Sequence, residues 1–349
     1  MKEIIRITGD PAQIALLVSA IVLSLVGTLL YRKYALKRGI RASVNFRSLH
    51  KEEVPRGGGI VFAAVFAMAS VASCAAGALT THLTLLLAVG GTAGALFGFV
   101  DDILEVRASI KILAHGCLAA WGVAVLSQTA QFATGVEFNS PTLILVLASL
   151  FFVFVWFINL YNFIDGIDGM AITGCLYICI ASILILVVTG GDSKTVFALM
   201  LLGACSVGFL IFNLPPARIF MGDAGSIFLG YTIAGLFVFT VISRQMTVWT
   251  WLAILSYFIG DTSVTGAYRL IRVRKWYGAH RSHAYQNLAR IHKSHALVTY
   301  GVNLYNYLWA LPLALWSALV PANAPIAAML ALAPTVAWAF RFGPRLSSS

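Results

Sequence analysis

The chain has 349 residues, 60% of them hydrophobic and 11% charged, with a formal net charge of +11 and a mean hydropathy of +0.88. A soluble globule of this length needs far more polar surface than this, so composition excludes one and points to a chain that crosses a membrane repeatedly.

A hydrocarbon core of about 30 Å takes roughly 20 apolar residues per helix. Such windows fall at 12–31, 58–78, 83–100, 110–127, 142–161, 170–189, 195–214, 226–243, 247–267, 299–320 and 322–340, which predicts an all-α, polytopic integral membrane bundle of about 11 transmembrane helices. Membrane β-strands would alternate polar with apolar residues, and the run from Leu143 to Phe157 does not. The first window lacks an A-x-A cleavage pattern and is followed by Arg32, Lys33, Lys37 and Arg38, so it reads as an uncleaved anchor.

With the amino terminus outside and the carboxyl terminus inside, every Lys and Arg except Lys2, Arg6, Lys194 and Arg244 falls in an inner loop or in the tail after 340. This positive-inside bias explains the net charge without any nucleic-acid partner. The inner loops, 32–57, 101–111, 161–169, 215–225 and 268–298, are too short to build a core of their own, so residues 1–349 form one integral domain. Cys74, Cys117, Cys175, Cys179 and Cys205 all lie in apolar runs without a second Cys or His pair at ligand spacing, and read as small core residues.

The few acids are the informative residues. Asp101, Asp102, Asp165, Asp168, Asp223 and Asp261 stand at or beside the ends of apolar runs. A carboxylate at the bilayer centre costs roughly 2.5 to 3.5 kcal/mol on insertion scales, so acids so placed mark a site by default.

Taken in chain order, Arg56-Gly57-Gly58-Gly59 enters a helix, with Arg47 and Lys51 nearby. Glycine allows close backbone approach and free N–H groups that suit an anion; a basic loop with a flexible hinge is the other reading. Asp101-Asp102 follows the third span, with Lys111 beyond it; paired carboxylates make sense where a cation relieves them or one acts as a base, and an exposed acidic helix end is the alternative. Asn159, Asn162, Asp165 and Asp168, three apart, fall on one slowly drifting helical stripe punctuated by Gly166 and Gly169, either a site or a polar seam between helices. Asn213 precedes Pro215-Pro216 and the Gly222-Asp223 pair, where a carboxylate in a glycine-flanked turn can reach a hard ion such as Mg2+. The last loop holds His280-Arg281-Ser282-His283, suited to a diphosphate, among basic residues that suit anionic headgroups as well.

Together Arg56-Gly-Gly-Gly59, Asp101-Asp102, Asn162-x-x-Asp165-Gly-x-Asp168-Gly, Phe220-Met-Gly-Asp223-Ala-Gly-Ser226 and His280-x-x-His283 resemble the polyprenyl-phosphate N-acetylhexosamine-1-phosphate transferases, in order from about residue 45 to 285. That superfamily includes the phospho-MurNAc-pentapeptide translocases and the GlcNAc-1-phosphate transferases of surface-glycan synthesis. The resemblance implies a bacterial inner-membrane enzyme with its site on the cytoplasmic face. It would move a sugar 1-phosphate from a UDP-N-acetylhexosamine to undecaprenyl phosphate and release UMP, with Mg2+ as cofactor and Mn2+ as a substitute. It also implies roles: Asp101 and Asp102 beside the lipid phosphate, Asn162, Asp165 and Asp168 in the nucleotide and metal region, Asp165 and Asp223 on the metal, and Lys51, Arg56, Lys111, Asn213, His280, Arg281 and His283 around the substrates. The translocase branch carries adjacent histidines where this chain has His280-Arg-Ser-His283, and Asn45-Phe-Arg-Ser-Leu-His50 looks more like the branch that initiates O-antigen or related envelope glycans. A homodimer is among the assemblies open to such a bundle. A secondary transporter is the competing class, but it would place its acids near the midplane of two matching halves, and no repeat is visible.

Overall fold

The computed structural model describes residues 10–42, 54–134, 141–272 and 282–344. Its first helix shows how local sequence sets the boundaries. In α1 (Pro11–Arg38) Asp10 caps the start by accepting the Ala12 N–H at 2.9 Å, Pro11 occupies a first-turn position where no N–H is needed, and Gly39 at φ 71° ends it. At 28 residues, about 42 Å, α1 outruns the hydrocarbon core, so residues 32–38 are helix rather than loop. A two-residue antiparallel ladder of β1 (Arg41–Ala42) and β2 (Val54–Pro55) follows.

Helices then alternate through the bundle: α2 (Gly59–Ala75), α3 (Thr81–Leu104, with a π turn at Leu85–Val89), α4 (Ala108–Thr134), α5 (Pro141–Ile164), α6 (Met170–Thr189), α7 (Ser193–Asn213) and α8 (Gly222–Ile242). They continue as α9 (Val248–Ile254), α10 (Ser256–Arg272), α11 (Ala284–His292), α12 (His295–Tyr305), a π turn at Asn306–Ala310, α13 (Leu311–Leu319) and α14 (Ala324–Phe342).

Among the described residues eight helices are long and apolar enough to cross a membrane: α1, α3, α4 through Ser127, α5, α6, α7, α8 and the run Pro321–Phe342 that contains α14. The protein is therefore an all-helical, multi-pass membrane protein. The other three sequence windows have a different form. α2 is only 17 residues long. The window 247–267 breaks at Leu255, and the second half, α10, carries Asp261, Thr262 and Thr265 on its buried side. The window 299–320 is interrupted by its π turn before Pro312.

α8 is the most enclosed of the spans and α1 the least. α8 packs on α3 and α5, and its Phe228 meets Phe62 and Phe66 of α2 edge-on at 5.5 Å each. Cys175, Cys179 and Cys205 are buried free thiols, as expected of core residues, whereas Cys74 is half-buried and Cys117 is exposed, so the core reading does not hold for Cys117. This core holds the starts of α2, α4 and α8 and the ends of α3 and α5 together.

Candidate active site

Asp102, near the end of α3, caps a helix to which it does not belong. Its Oδ1 accepts the backbone N–H of Asp223 at 2.9 Å and its Oδ2 accepts that of Ala224 at 3.1 Å, satisfying two of the orphan donors at the start of α8. Gly222 makes room for this: it sits at φ 73°, and a Cβ there would lie 2.3 Å from Asp102 Oδ2. Arg56 completes the arrangement, with Nε 2.7 Å from Asp102 Oδ1 and a terminal nitrogen 3.7 Å from Asp223 Oδ1.

Asp101 is 2% exposed and faces the other cation. One oxygen accepts the Val106 N–H at 2.9 Å, where Glu105 turns the chain at φ 49°, and the other lies 2.5 Å from Lys111 Nζ at the start of α4. Lys111 also reaches Asp223 Oδ2 at 3.5 Å. Asn162 of α5 donates to Asp223 Oδ1 at 3.0 Å and to Ser226 Oγ at 3.2 Å. Asp223 is thus the shared member: two cations and an amide converge on a carboxylate that remains partly open.

Asp165 lies one residue past the end of α5 and makes no side-chain hydrogen bond or ion pair among the described residues. Burial, reinforced by the nearby charges of Asp223 and Asp102, holds its carboxyl well above the usual carboxylate range. The predicted helical stripe stops here. Asn159 spends its amide on Val155 O, α5 ends at Ile164, and Gly169 at φ 73° restarts the chain in α6, so Asp165 and Asp168 occupy a turn and diverge. Asp168 Oδ2 accepts the Ala217 N–H at 2.9 Å, Oδ1 lies 3.0 Å from His295 Nδ1, and its carbonyl accepts Thr299 Oγ1 at 2.7 Å. Those contacts tie the turn to the 215–220 loop and to α12.

The other expected residues separate in the same way. Arg56 and Lys111 join the cluster; Asn213 is buried and donates to Ile219 O at 2.9 Å, pinning the loop before α8. His283 is buried at the start of α11, 3.5 Å from Asp261 Oδ1, with its ring 5.8 Å from those of both Phe163 and Tyr285. Asp261 accepts the N–H groups of Ala284 at 3.0 Å and Tyr285 at 3.2 Å, so it caps α11 much as Asp102 caps α8. Lys51, His280 and Arg281 lie outside the described residues.

Two of the three glycines in the run do not present free N–H groups to an anion. Gly58 N–H is taken by Phe220 O at 3.0 Å and Gly59 N–H by Met221 O at 2.9 Å. The reason for glycine is close approach, since a Cβ on Gly59 would lie 2.2 Å from Gly225 Cα. Sequence reading also missed two supports on α1. Tyr31 donates to the carbonyl of Arg56 at 3.0 Å, and Arg32 Nε donates to the carbonyl of Arg218 at 3.0 Å, so the least buried helix braces both loops that feed the cluster. A third residue, His115, is buried one turn beyond Lys111 on α4.

The donor chemistry fits a hard divalent cation that brings its own oxygen ligands. Among the described residues no three His, Cys, Asp or Glu side chains form a ready cage. Mg2+ does not need one: it takes one or two carboxylates and fills its octahedron with water and substrate phosphates. Asp223, partly open, and Asp165, without a partner among the described residues, are the two that could serve.

The comparisons with known proteins agree with this constellation. Residues 83–241, from α3 to the end of α8, match the model of glycosyl transferase family 4. A phospho-N-acetylmuramoyl-pentapeptide-transferase of Symbiobacterium thermophilum is 33% identical over 259 residues, 68% of this chain and 75% of the relative. The chain belongs to glycosyl transferase family 4. Within that family it is also similar to a probable undecaprenyl-phosphate N-acetylglucosaminyl 1-phosphate transferase of Bacillus subtilis, 26% identical over 304 residues that cover 85% of this chain and 83% of the relative. A decaprenyl-phosphate N-acetylglucosaminephosphotransferase of Mycolicibacterium smegmatis is 32% identical over 220 residues, 57% of this chain and 53% of the relative. The family match spans Asp101, Asp102, Lys111, Asn162 and Asp223 of the cluster, with Arg56 outside it, together with Asp165, Asp168 and Asn213 beside them.

Proposed function

We propose that the protein transfers a sugar 1-phosphate from a UDP-N-acetylhexosamine to undecaprenyl phosphate, releasing UMP and starting a lipid-linked envelope glycan such as O-antigen. The observation that carries the reading is the convergence of Asp101, Asp102 and Asp223 with Arg56, Lys111 and Asn162 at one end of the membrane helices. Two multiply anionic substrates, one of them anchored in lipid, need such a set of cations and metal-binding carboxylates at the membrane boundary. The similarity to polyprenyl-phosphate N-acetylglucosamine phosphotransferases supports the substrate class.

In this reading an oxygen of the acceptor phosphate attacks the β-phosphorus of the UDP-sugar. A new phosphorus–oxygen bond forms, the bond from the β-phosphorus to the bridging oxygen breaks, and the bridging oxygen leaves with UMP. Bound Mg2+, held by Asp223 and Asp165, would supply charge neutralisation for the diphosphate. Lys111 and Arg56 are already placed to share anionic load with the carboxylates and to turn to phosphate oxygens when substrates arrive. Asp102, committed to two backbone N–H groups and to Arg56, holds α8 and its Asp223 in place rather than taking a proton. Asp101 keeps Lys111 oriented. Phosphate monoesters have a second pKa near about 6, so the acceptor arrives largely as its own nucleophile. The site faces the cytoplasm, where the positive-inside distribution of Lys and Arg puts these helix ends.

The test is purified protein with Mg2+, undecaprenyl phosphate and a panel of UDP-sugars, reading UMP. UMP release with one or more UDP-N-acetylhexosamines, dependent on the lipid, is expected. No release with any of them from folded protein removes the reading, and the donor preferred within the panel identifies the sugar.

A further inference from the structure

We infer that His115 is a further substrate-binding residue, whose imidazole hydrogen-bonds a phosphate oxygen seated beneath Lys111. The inference rests on the reading above and deepens it, because the phosphate it assigns to His115 is that of the lipid acceptor.

His115 follows Lys111 by four residues on α4, so the two share a face with His115 one turn further along. α4 begins at Ala108 at the site end of the bundle, which puts His115 about 6 Å deeper toward the bilayer interior than Lys111. Its ring stands edge-on to Phe97 at 6.2 Å and 83°, and Phe97 lies one turn before Asp101 on α3. The imidazole therefore forms part of the floor under the Asp101–Lys111 pair, and it feels the charges of both.

The side chain is 7% exposed, and among the described residues Nε2 has neither solvent nor a hydrogen-bond partner. A buried ring nitrogen left unpaired is unfavourable, and a residue placed only for packing would satisfy the same space better as Phe or Leu. A neutral imidazole can donate from one nitrogen and accept at the other, so an oxyanion entering beneath Lys111 would pair it.

Depth and surroundings select the acceptor over the donor. The nucleotide sugar is polar throughout and arrives from water, whereas the acceptor's phosphate is carried by a chain that stays among apolar groups. Ile112, three residues before His115 and so beside it on α4, is 73% exposed, an apolar surface bordering the face that carries Lys111 and His115. An acceptor whose chain lies against Ile112 would bring its phosphate to the end of α4 that carries Lys111 and, one turn deeper, His115.

The experiment compares wild type, His115→Phe and His115→Gln in detergent, with UMP release measured against undecaprenyl phosphate and against a UDP-N-acetylhexosamine, and with thermal unfolding in parallel. His115→Phe should raise the KM for the lipid about 10-fold, leave the KM for the donor within about twofold, and leave Tm unchanged or higher. His115→Gln, which keeps a donor and an acceptor, should recover to within about threefold of wild type. A rise in donor KM instead, equal impairment of the Gln and Phe variants, or a fall in Tm for His115→Phe each overturns the inference, the last by showing a packing or internally bonded role. Wild-type turnover keeps the two readings separable: wild type that releases no UMP defeats the proposed function, whereas active wild type matched by His115→Phe defeats this inference alone.

Discussion

Asp102 holds the first turn of α8 through the backbone N–H of Asp223, 2.9 Å away, so one carboxylate positions another without touching its side chain. Removing the charge of each therefore has different consequences. Asp102→Asn puts an NH2 group where a donor or Arg56 was satisfied, and should lower stability by about 1.5 to 3 kcal/mol as well as activity. Asp223→Asn has no backbone to support and should lower kcat about 100-fold or more while Tm stays within about 2 °C. Thermal unfolding and UMP release on the two variants check this; equal losses of Tm would show that Asp223 is structural too.

The brace from α1 gives a second prediction. Tyr31→Phe removes only the hydroxyl that fixes the Arg56 carbonyl, and should lower kcat about fivefold with little change in either KM. Because its effect passes through Arg56, Tyr31→Phe and Arg56→Lys should be non-additive in a double-mutant cycle. Strictly additive losses would mean that the hydroxyl only stabilises the bundle.

Metal dependence follows from the assignment of Asp223 and Asp165. Stripping divalent ions with EDTA should abolish UMP release, Mg2+ or Mn2+ should restore it, and Asp165→Asn should raise the Mg2+ concentration needed for half-maximal rate about 10-fold. Activity that survives chelation, or an Asp165→Asn enzyme with the wild-type Mg2+ requirement, would contradict the metal assignment.

Orientation is testable without activity. In a background without native cysteines, a cysteine at Lys194, at the start of α7, should label from outside intact cells, and one at Lys293, just after α11, should label only after permeabilisation. The reverse pattern would put the carboxylate cluster on the wrong side for a cytoplasmic nucleotide sugar.

Much of this was legible in the sequence because it is one-dimensional. Hydropathy marks spans, and the Asp101-Asp102 and Gly222-Asp223 pairs stand out in an apolar chain. What was hidden depends on which helix meets which. Nothing local says that Asp102 caps α8, that Tyr31 fastens Arg56, or that His115 faces Phe97. The glycines misled for the same reason: Gly58 and Gly59 looked like an anion nest, but their N–H groups pair with the chain around residue 220 and their missing side chains let α2 approach Gly225. The three-residue spacing from Asn159 to Asp168 looked helical throughout because periodicity does not show where a helix stops, and here it stops at Ile164.

The central claim is that the bond broken lies between the two phosphates of the donor, so the fate of the β-phosphate tests it most directly. Purified protein is given Mg2+, undecaprenyl phosphate and the UDP-N-acetylhexosamine it prefers, labelled with 32P at the β position, and the lipid and aqueous fractions are counted. Sugar-1-phosphate transfer sends the label into the lipid fraction with the sugar and leaves unlabelled UMP in water. Label retained in water as UDP, with only the sugar on the lipid, would mean ordinary glycosyl transfer and would contradict the account.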